Sequence, residues 1–231
     1  MSFHAPDFII LSLCTQFLSF KTDSNKNGIG HDTPLHIISV QISELGITFA
    51  SKSVGGGSNE ISAVQHLIRE LDIQGHMVVA DALNCQGEMT EAIIHGKGGY
   101  LLDAKRNQAT LEGEIKDYVQ DESLRKTMDS KSTTEKSRDQ VETRTAYVTA
   151  DIGWLFGRES WKNLCCIGAI RTEFERKDVK TAEWHYYISS RNHTVLELLH
   201  RARMEWAVET MHWFLDVHFS EDFCRIVNRI I

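Results

Sequence analysis

Apolar and polar residues alternate along the chain in blocks that predict strands and helices in turn. Two runs rich in β-branched residues, 35–42 and 46–54, are joined by a short turn and predict a β-hairpin. After a run of glycines, apolar residues recur at helical spacing over 61–71 and predict a helix. A short apolar run at 77–80 then predicts a buried strand that ends at Asp81.

The same alternation continues through the second half of the chain. An amphipathic helix is predicted around 89–94, followed by a short strand at 100–102 and a helix that begins near Gln108. Further strands are predicted at 145–149, 165–172 and 184–189, and a long closing helix at 195–217. Strands that alternate with helices indicate a mixed α/β sheet with helices packed on it.

Two segments do not fit this alternation. Residues 121–140 are almost entirely charged or hydroxylic and have no apolar period, which predicts a solvated polar loop. Residues 8–20 are apolar, but the run is too short to span a bilayer and no Lys or Arg precedes it. We therefore predict no membrane segment or signal peptide, and interpret 8–20 as a buried strand or as the altered start of a shortened chain.

The composition restricts the classes of protein that fit. With 231 residues, of which 42% are hydrophobic, the chain can form one mixed domain with a sizeable core. Its five cysteines include no Cys-x-x-Cys pair, which favours neither a disulfide framework nor a zinc site and fits a reducing cytosol. The formal net charge of −7 has the wrong sign for a protein that only binds DNA. It does not exclude an enzyme that meets DNA through a carboxylate-bound metal.

Two acidic residues are candidates for metal-dependent chemistry. Asp81 directly follows a predicted buried strand, and ligands of open α/β sheets collect at that edge. A turn or helix-capping aspartate is the simpler interpretation. Glu209 lies on a polar stripe of the closing helix, bordered by Trp206 and Trp213, so part of this stripe is expected to be buried. A solvated helix face is the simpler interpretation there.

An aspartate and a glutamate brought together would form a site with hard oxygen ligands, which Mg²⁺ prefers. Two such ions about 4 Å apart can activate a nucleophile and stabilise a leaving oxygen in phosphodiester cleavage. The residue types permit this arrangement without selecting it.

Short segments distributed through the chain match one known family in their order. They are PLHIISV (34–40), SNEI (58–61), IQGHMVVADALNCQ (73–86), YLLDAKRNQATL (100–111), ETR (142–144), DIGWL (151–155), HYYISS (185–190) and EWAVETMHWFLDVHFSED (205–222). Read together, they resemble the insertion-sequence transposases of the ISAs type, also called H-repeat-associated proteins, within the IS-four-like DDE group. The resemblance extends over about 34–225.

The resemblance implies an RNase H-like fold, in which a mixed α/β sheet is flanked by helices and carries an additional β insertion. It also implies a catalytic Asp, Asp and Glu that bind two Mg²⁺ or Mn²⁺ ions. Asp81 matches the second of these carboxylates and Glu209 the third. A Lys-x-Asn-Gln stretch close to substrate DNA corresponds to Lys105, Asn107 and Gln108.

The reaction implied by the resemblance is hydrolysis of a phosphodiester at the ends of the element, followed by strand transfer to new DNA. The implied partners are the terminal inverted repeats and the target DNA, and a homodimer is compatible with them. The implied location is the bacterial cytoplasm, with association to the nucleoid when DNA is bound.

The first catalytic aspartate of the family has no counterpart in its usual Asp-Gly-Lys-Thr segment. FLSFKTDSNKNG (17–28) occupies that place, and its Asp23 lies near the motif but outside it. We predict a divergent remnant at 1–33, a catalytic domain at 34–225 and a truncated end at 226–231. If the missing ligand removes about 4 kcal/mol of transition-state stabilisation, the rate falls roughly a thousandfold. The prediction is an impaired or inactive transposase.

Two other functions remain open from the sequence. One is a noncatalytic remnant that binds DNA or an intact transposase, which the missing Asp-Gly-Lys-Thr segment favours. The other is an unrelated metal-dependent nuclease with the same fold, against which only the ordered set of segments argues.

Overall fold

A computed structural model describes residues 10–18, 35–42, 47–54, 60–137, 140–176 and 179–203. The strands are β1 Ile10–Leu18, β2 Leu35–Ile42, β3 Ile47–Val54, β4 Met77–Ala80, β5 Gly99–Asp103, β6 Asp129–Ser137, β7 Gln140–Thr149, β8 Cys166–Arg176 and β9 Val179–Ser189. The helices are α1 Glu60–Glu70, α2 Gly87–His95, α3 Ala109–Gln120 and α4 Glu122–Arg125. Residues 195–203 form the last described helix.

The described strands form one sheet in the order β3-β2-β1-β4-β5-β9-β8-β7-β6. β1, β4 and β5 are parallel, and all other neighbours are antiparallel. The three parallel strands therefore end at the same edge of the sheet. The predicted mixed α/β sheet with packed helices is confirmed. Residues 10–18 form β1, one of the three parallel strands, so the strand interpretation of this apolar run is correct.

The central strands β4 and β5 are apolar on both faces because helices cover both. Side chains on the first face pack against α1, α2 and α3; they include Val78, Ala80, Tyr100 and Leu102. On the second face, Met77, Val79 and Leu101 pack in one cluster with side chains of β7, β8 and β9 and of the last described helix. Burial on both faces explains the continuous apolar runs.

The last described helix lies close against the second face of the sheet. Leu198, Leu199 and Ala202 are buried in the same cluster as Val79 of β4. At Gly168 in β8, a Cβ atom would lie 2.6 Å from Leu198 Cδ2, so a side chain at this position would displace Leu198. The closing helix predicted over 195–217 is confirmed as far as residue 203, and the rest lies outside the described residues.

The prediction of a polar loop at 121–140 is wrong. Asp121 caps the short helix α4, and residues 129–137 form strand β6, which pairs with β7 along its whole length. Hydroxyl groups also meet across the two strands: Ser132 Oγ lies 2.8 Å from Thr145 Oγ1. The apolar period is missing because β6 is an edge strand with its described side chains exposed or only partly buried. Backbone pairing forms this strand without a buried face.

The antiparallel strands also extend beyond their predicted ends. β8 and β9 continue to Arg176 and back from Val179, whereas only 165–172 and 184–189 were predicted. Their added portions are largely exposed, so they too lack the apolar signal on which the prediction depended. Within the described ranges, none of the helices has the length and apolar character needed to cross a membrane.

Candidate active site

Asp81 lies where the central strand β4 ends and a single 3-10 turn over residues 82–84 begins. Its Oδ1 atom accepts hydrogen bonds from Asn84 Nδ2 at 3.0 Å and from the Asn84 backbone nitrogen at 3.4 Å. Asp81 is therefore a capping residue, as the simpler interpretation expected. Capping engages Oδ1; within the described residues, no hydrogen bond to Oδ2 is found. The carboxylate can thus cap the turn and still offer an oxygen to a ligand.

Asp103, which sequence reasoning missed, ends the neighbouring parallel strand. The register of β4 and β5 pairs Ala80 with Leu102, so the next positions, 81 and 103, are level across the two strands. Asp103 is two residues beyond Leu101, and Asp81 is two residues beyond Val79 in extended backbone. Because alternate residues share a face, both positions belong to the second face of the sheet.

Asp103 is deeply buried and only partly satisfied. Its side chain is 3% exposed, and its Oδ2 atom lies 2.7 Å from Lys105 Nζ. Its Oδ1 atom is buried and has no hydrogen-bond partner within the described residues. A sequence signal existed, since Asp103 follows an apolar run just as Asp81 does. Only the register, which pairing determines, makes the two positions neighbours.

The three residues predicted to contact DNA lie in the segment that follows β5. Lys105 pairs with Asp103, as described above. Asn107 donates a short hydrogen bond from Nδ2 to the Ala82 carbonyl oxygen, and Gln108 donates from Nε2 to the Cys85 carbonyl oxygen at 3.0 Å. The two amides therefore join this segment to the turn after Asp81. Their contact with DNA stays a prediction.

Cys85 lies at the end of the turn that Asp81 caps. Its side chain is fully buried. Burial raises the pKa of its thiol well above the usual range, and the nearby carboxylates of Asp103 and Asp81 raise it further. Cys85 is therefore a neutral packing residue and has no character of a nucleophile. The effect of both acids on one thiol also indicates that their negative potential converges near this turn.

The described residues contain oxygen donors of the kind that bind divalent cations, but no complete metal site. No group of three or more His, Cys, Asp or Glu side chains suited to a metal occurs in the described ranges. Asp81 and Asp103 do provide carboxylate oxygens, including the buried Oδ1 of Asp103, which has no hydrogen-bond partner within the described residues, and such oxygens suit Mg²⁺ or Mn²⁺. Glu209 and Asp23 lie outside the described residues, so their predicted roles are untested.

Comparison with known proteins identifies the relatives of this chain. No model of a known protein family matches it. It is 31% identical over 198 residues to "Putative transposase YncI" of Escherichia coli O157:H7, covering 83% of this chain and 51% of that protein. It is 30% identical over 200 residues to "H repeat-associated putative transposase YhhI" of Escherichia coli strain K12, covering 83% and 53%. This chain is a homologue of the H-repeat-associated transposases.

The transposase resemblance inferred from the ordered segments is therefore confirmed. The chain spans about half the length of the curated relatives that it matches. Its fold is also similar to that of piggyBac transposase in a cryo-EM structure of the synaptic complex with hairpin DNA. That likeness has a TM-score of 0.51 at 12% sequence identity and covers 97% of this chain and 43% of the piggyBac chain. At this identity it concerns the fold alone.

Proposed function

We propose that this transposase homologue descends from an enzyme that hydrolyses DNA phosphodiesters and transfers DNA strands with the help of divalent metal ions. We also propose that its own activity is weak or absent. The observation that carries the proposal is homology over 83% of the chain, combined with an aspartate at the end of a central parallel strand. Asp81 and Glu209 are the proposed metal ligands. Element ends and target DNA are the proposed substrates, in the cytoplasm, with a homodimer as the proposed assembly.

The architecture supports an RNase H-like domain. Parallel strands lie within the mixed sheet, and helices pack on both faces of β4 and β5. The antiparallel strands β6 to β9 extend the sheet beyond β5, as expected for an additional β insertion. The last described helix packs on the face to which position 81 belongs. This supports the proposal that Glu209, predicted six residues further along the same helix, approaches Asp81.

The residues around Asp81 have defined parts in the proposed chemistry. Mg²⁺ or Mn²⁺, when bound, would activate a water molecule and stabilise a leaving oxygen. Asp81 would hold the metal while remaining fixed by Asn84. Asn107 and Gln108 would keep the turn after Asp81 in place through their bonds to its carbonyl groups. Lys105, whose side chain is about half exposed, would meet a DNA phosphate.

The absence of an acidic residue from β1 supports the proposed impairment. β1 has the sequence ILSLCTQFL and contains no Asp or Glu. Its register with β4 pairs Ser12 with Val79, so continuing the pairing brings position 14 level with Asp81. That position holds Cys14. A carboxylate on this strand would therefore stand beside Asp81, and the chain lacks one there.

The test is Mn²⁺-dependent nicking of supercoiled DNA by the full chain. Any nicking by the native protein is expected to be lost in Asp81→Ala and Glu209→Ala and kept in Asp129→Ala, a control on the exposed edge strand β6. Retention of nicking in either of the first two variants would refute the assignment. Cys14→Asp is expected to raise nicking, by up to roughly a thousandfold if it restores a missing ligand.

A second candidate function is a noncatalytic protein that binds DNA or an intact transposase. The observation that favours it is the same lack of a carboxylate in β1. It predicts no Mn²⁺ binding by the native chain in calorimetry and no nicking by Cys14→Asp. Native binding of Mn²⁺ that depends on Asp81 would contradict it.

A further inference from the structure

We infer that Asp103 is a further carboxylate ligand of the divalent-cation site at Asp81, and that the Lys105 ammonium occupies the place of that cation until it binds. The inference rests on the proposed function, because it extends the metal site proposed there. It assigns a metal-binding part to a residue outside the Asp81 and Glu209 pair.

The first step is the placement of the two acids. Neighbouring strands lie about 4.8 Å apart, and positions 81 and 103 are level on adjacent parallel strands and on the same face. Mg²⁺ and Mn²⁺ bind carboxylate oxygens at about 2.1 Å, so one ion can bridge side chains on strands at this spacing. Two carboxylates so close repel each other when both are ionised, and a divalent cation between them removes that repulsion.

The second step is the incomplete pairing of Asp103. A buried carboxylate is strongly disfavoured unless cations or donors meet its oxygens. The Lys105 ammonium meets Oδ2, whereas buried Oδ1 has no hydrogen-bond partner within the described residues. Asp103 Oδ1 is therefore a buried carboxylate oxygen that a bound cation would satisfy.

The third step concerns Lys105. Its side chain is 48% exposed, while that of Asp103 is 3% exposed, so the ammonium reaches inward from solvent to a fixed acid. A lysine side chain is a flexible point charge that can leave such a pair without disturbing the backbone. A divalent cation would compete with it for Asp103. The displaced ammonium would then be available for a DNA phosphate, which links metal binding to substrate binding.

A purely structural ion pair is the competing explanation of the same contacts. In that case Asp103 and Lys105 would stabilise the segment after β5, and their replacement would change unfolding without changing metal affinity. Competition between Lys105 and the cation predicts that the two replacements change the cation affinity in opposite directions. Removal of Asp103 should weaken cation binding, and removal of Lys105 should strengthen it.

In the experiment the full chain is titrated with Mn²⁺, and binding is measured by calorimetry and by the electron paramagnetic resonance signal of free Mn²⁺. Asp81→Asn and Asp103→Asn are each expected to weaken binding by about tenfold or more. Lys105→Met is expected to strengthen it by at least about threefold, since it removes a competing positive charge. The matched control is Asp129→Asn, which removes an exposed carboxylate from β6 and should leave the affinity unchanged.

The outcomes separate this inference from the proposed function. If Asp81→Asn weakens Mn²⁺ binding and Asp103→Asn does not, the proposed site stands and the role of Asp103 is overturned. If neither variant changes binding, or the native chain binds no Mn²⁺, both proposals fail. Should Asp103→Asn not fold, as judged by thermal unfolding without metal, Lys105→Met decides. An unchanged or weaker affinity in that variant overturns the inference.

Discussion

The central strands β4 and β5 and the edge strand β6 belong to one sheet but are stabilised differently. Every residue of β4 and β5 is buried, and helices cover both of their faces. The described side chains of β6 are exposed apart from the partly buried Thr133, and β6 has a neighbour on one side only. The centre depends on apolar packing, whereas the edge depends on backbone pairing with β7.

This difference explains why the candidate site lies where it does. On the edge, a charged side chain meets water and has little effect on the rest of the structure. At the ends of β4 and β5, Asp81 and Asp103 follow packed strands; Asp103 is buried and Asp81 is partly buried, so their charges interact more strongly than those on the exposed edge. A site that must hold a cation in fixed geometry benefits from the second environment.

The largest effect that separates the two regions is expected from loss of packing. Leu102→Ala in β5 should lower the free energy of unfolding by about 3 to 5 kcal/mol, because Leu102 is fully buried and the substitution leaves a cavity. The matched control is Leu124→Ala in α4, the short helix that directly precedes β6; Leu124 is 39% exposed. That change should remove less than about 1 kcal/mol. Urea unfolding of both variants measures the difference, and equal losses would contradict the comparison.

The same distinction determines how much of the fold could be predicted from sequence. The hairpin of β2 and β3 and the buried strand β4 were predicted within a residue or two, because their residues form runs of β-branched or apolar side chains. The segment 121–140 was predicted as a loop because a strand exposed on both faces has no apolar period. Its pairing with β7 depends on backbone bonds, which are the same for every residue type.

The candidate site was predictable only in part for a related reason. Asp81 was found because it ends an apolar run, and Asp103 ends another. What makes them a pair is the register of two strands separated by helix α2, and the sequence pattern contains no direct record of it. The hydrogen bonds of Asn107 and Gln108 to the turn after Asp81 could likewise not be predicted from the sequence, because each joins two segments that are brought together only in the fold.

The second effect in size is expected from acid, and it should originate at the centre. His193 is buried after β9, with its Nε2 atom 2.7 Å from Ser189 Oγ. Burial, together with the nearby charge of Arg201, lowers the pKa of His193 from 6.5 to about 4, so the folded protein holds this imidazole neutral above that pH. As pH falls from about 6.5 to about 4, the unfolded chain gains a proton that the folded chain excludes. Stability should fall by about 2 to 3 kcal/mol over this window and be unaffected above it.

The comparison variant for this acid effect is His193→Gln, which cannot titrate. Other groups also respond to acid, so the informative quantity is the difference between the pH dependences of native protein and variant. Urea unfolding at several pH values between 4 and 7 should give a smaller slope for the variant. Identical slopes would show that folding does not shift the pKa of His193.

The smallest effect is expected in the paired strands β6 and β7, where Thr134 Oγ1 lies 3.2 Å from Thr143 Oγ1 on an exposed surface. Thr134→Val removes the hydroxyl contact but keeps the β-branched shape, and should change stability by less than about 0.5 kcal/mol. Thr134→Ala also removes the β-branched shape and should lower stability by up to about 1 kcal/mol. If β6 is held by backbone pairing, the amide protons that bond β6 to β7 should stay protected from exchange in both variants. Loss of that protection in Thr134→Val would mean that side-chain hydroxyl contacts hold β6 in place. The edge strand would then depend on its side chains, as β4 and β5 do, and the contrast with backbone pairing would be wrong.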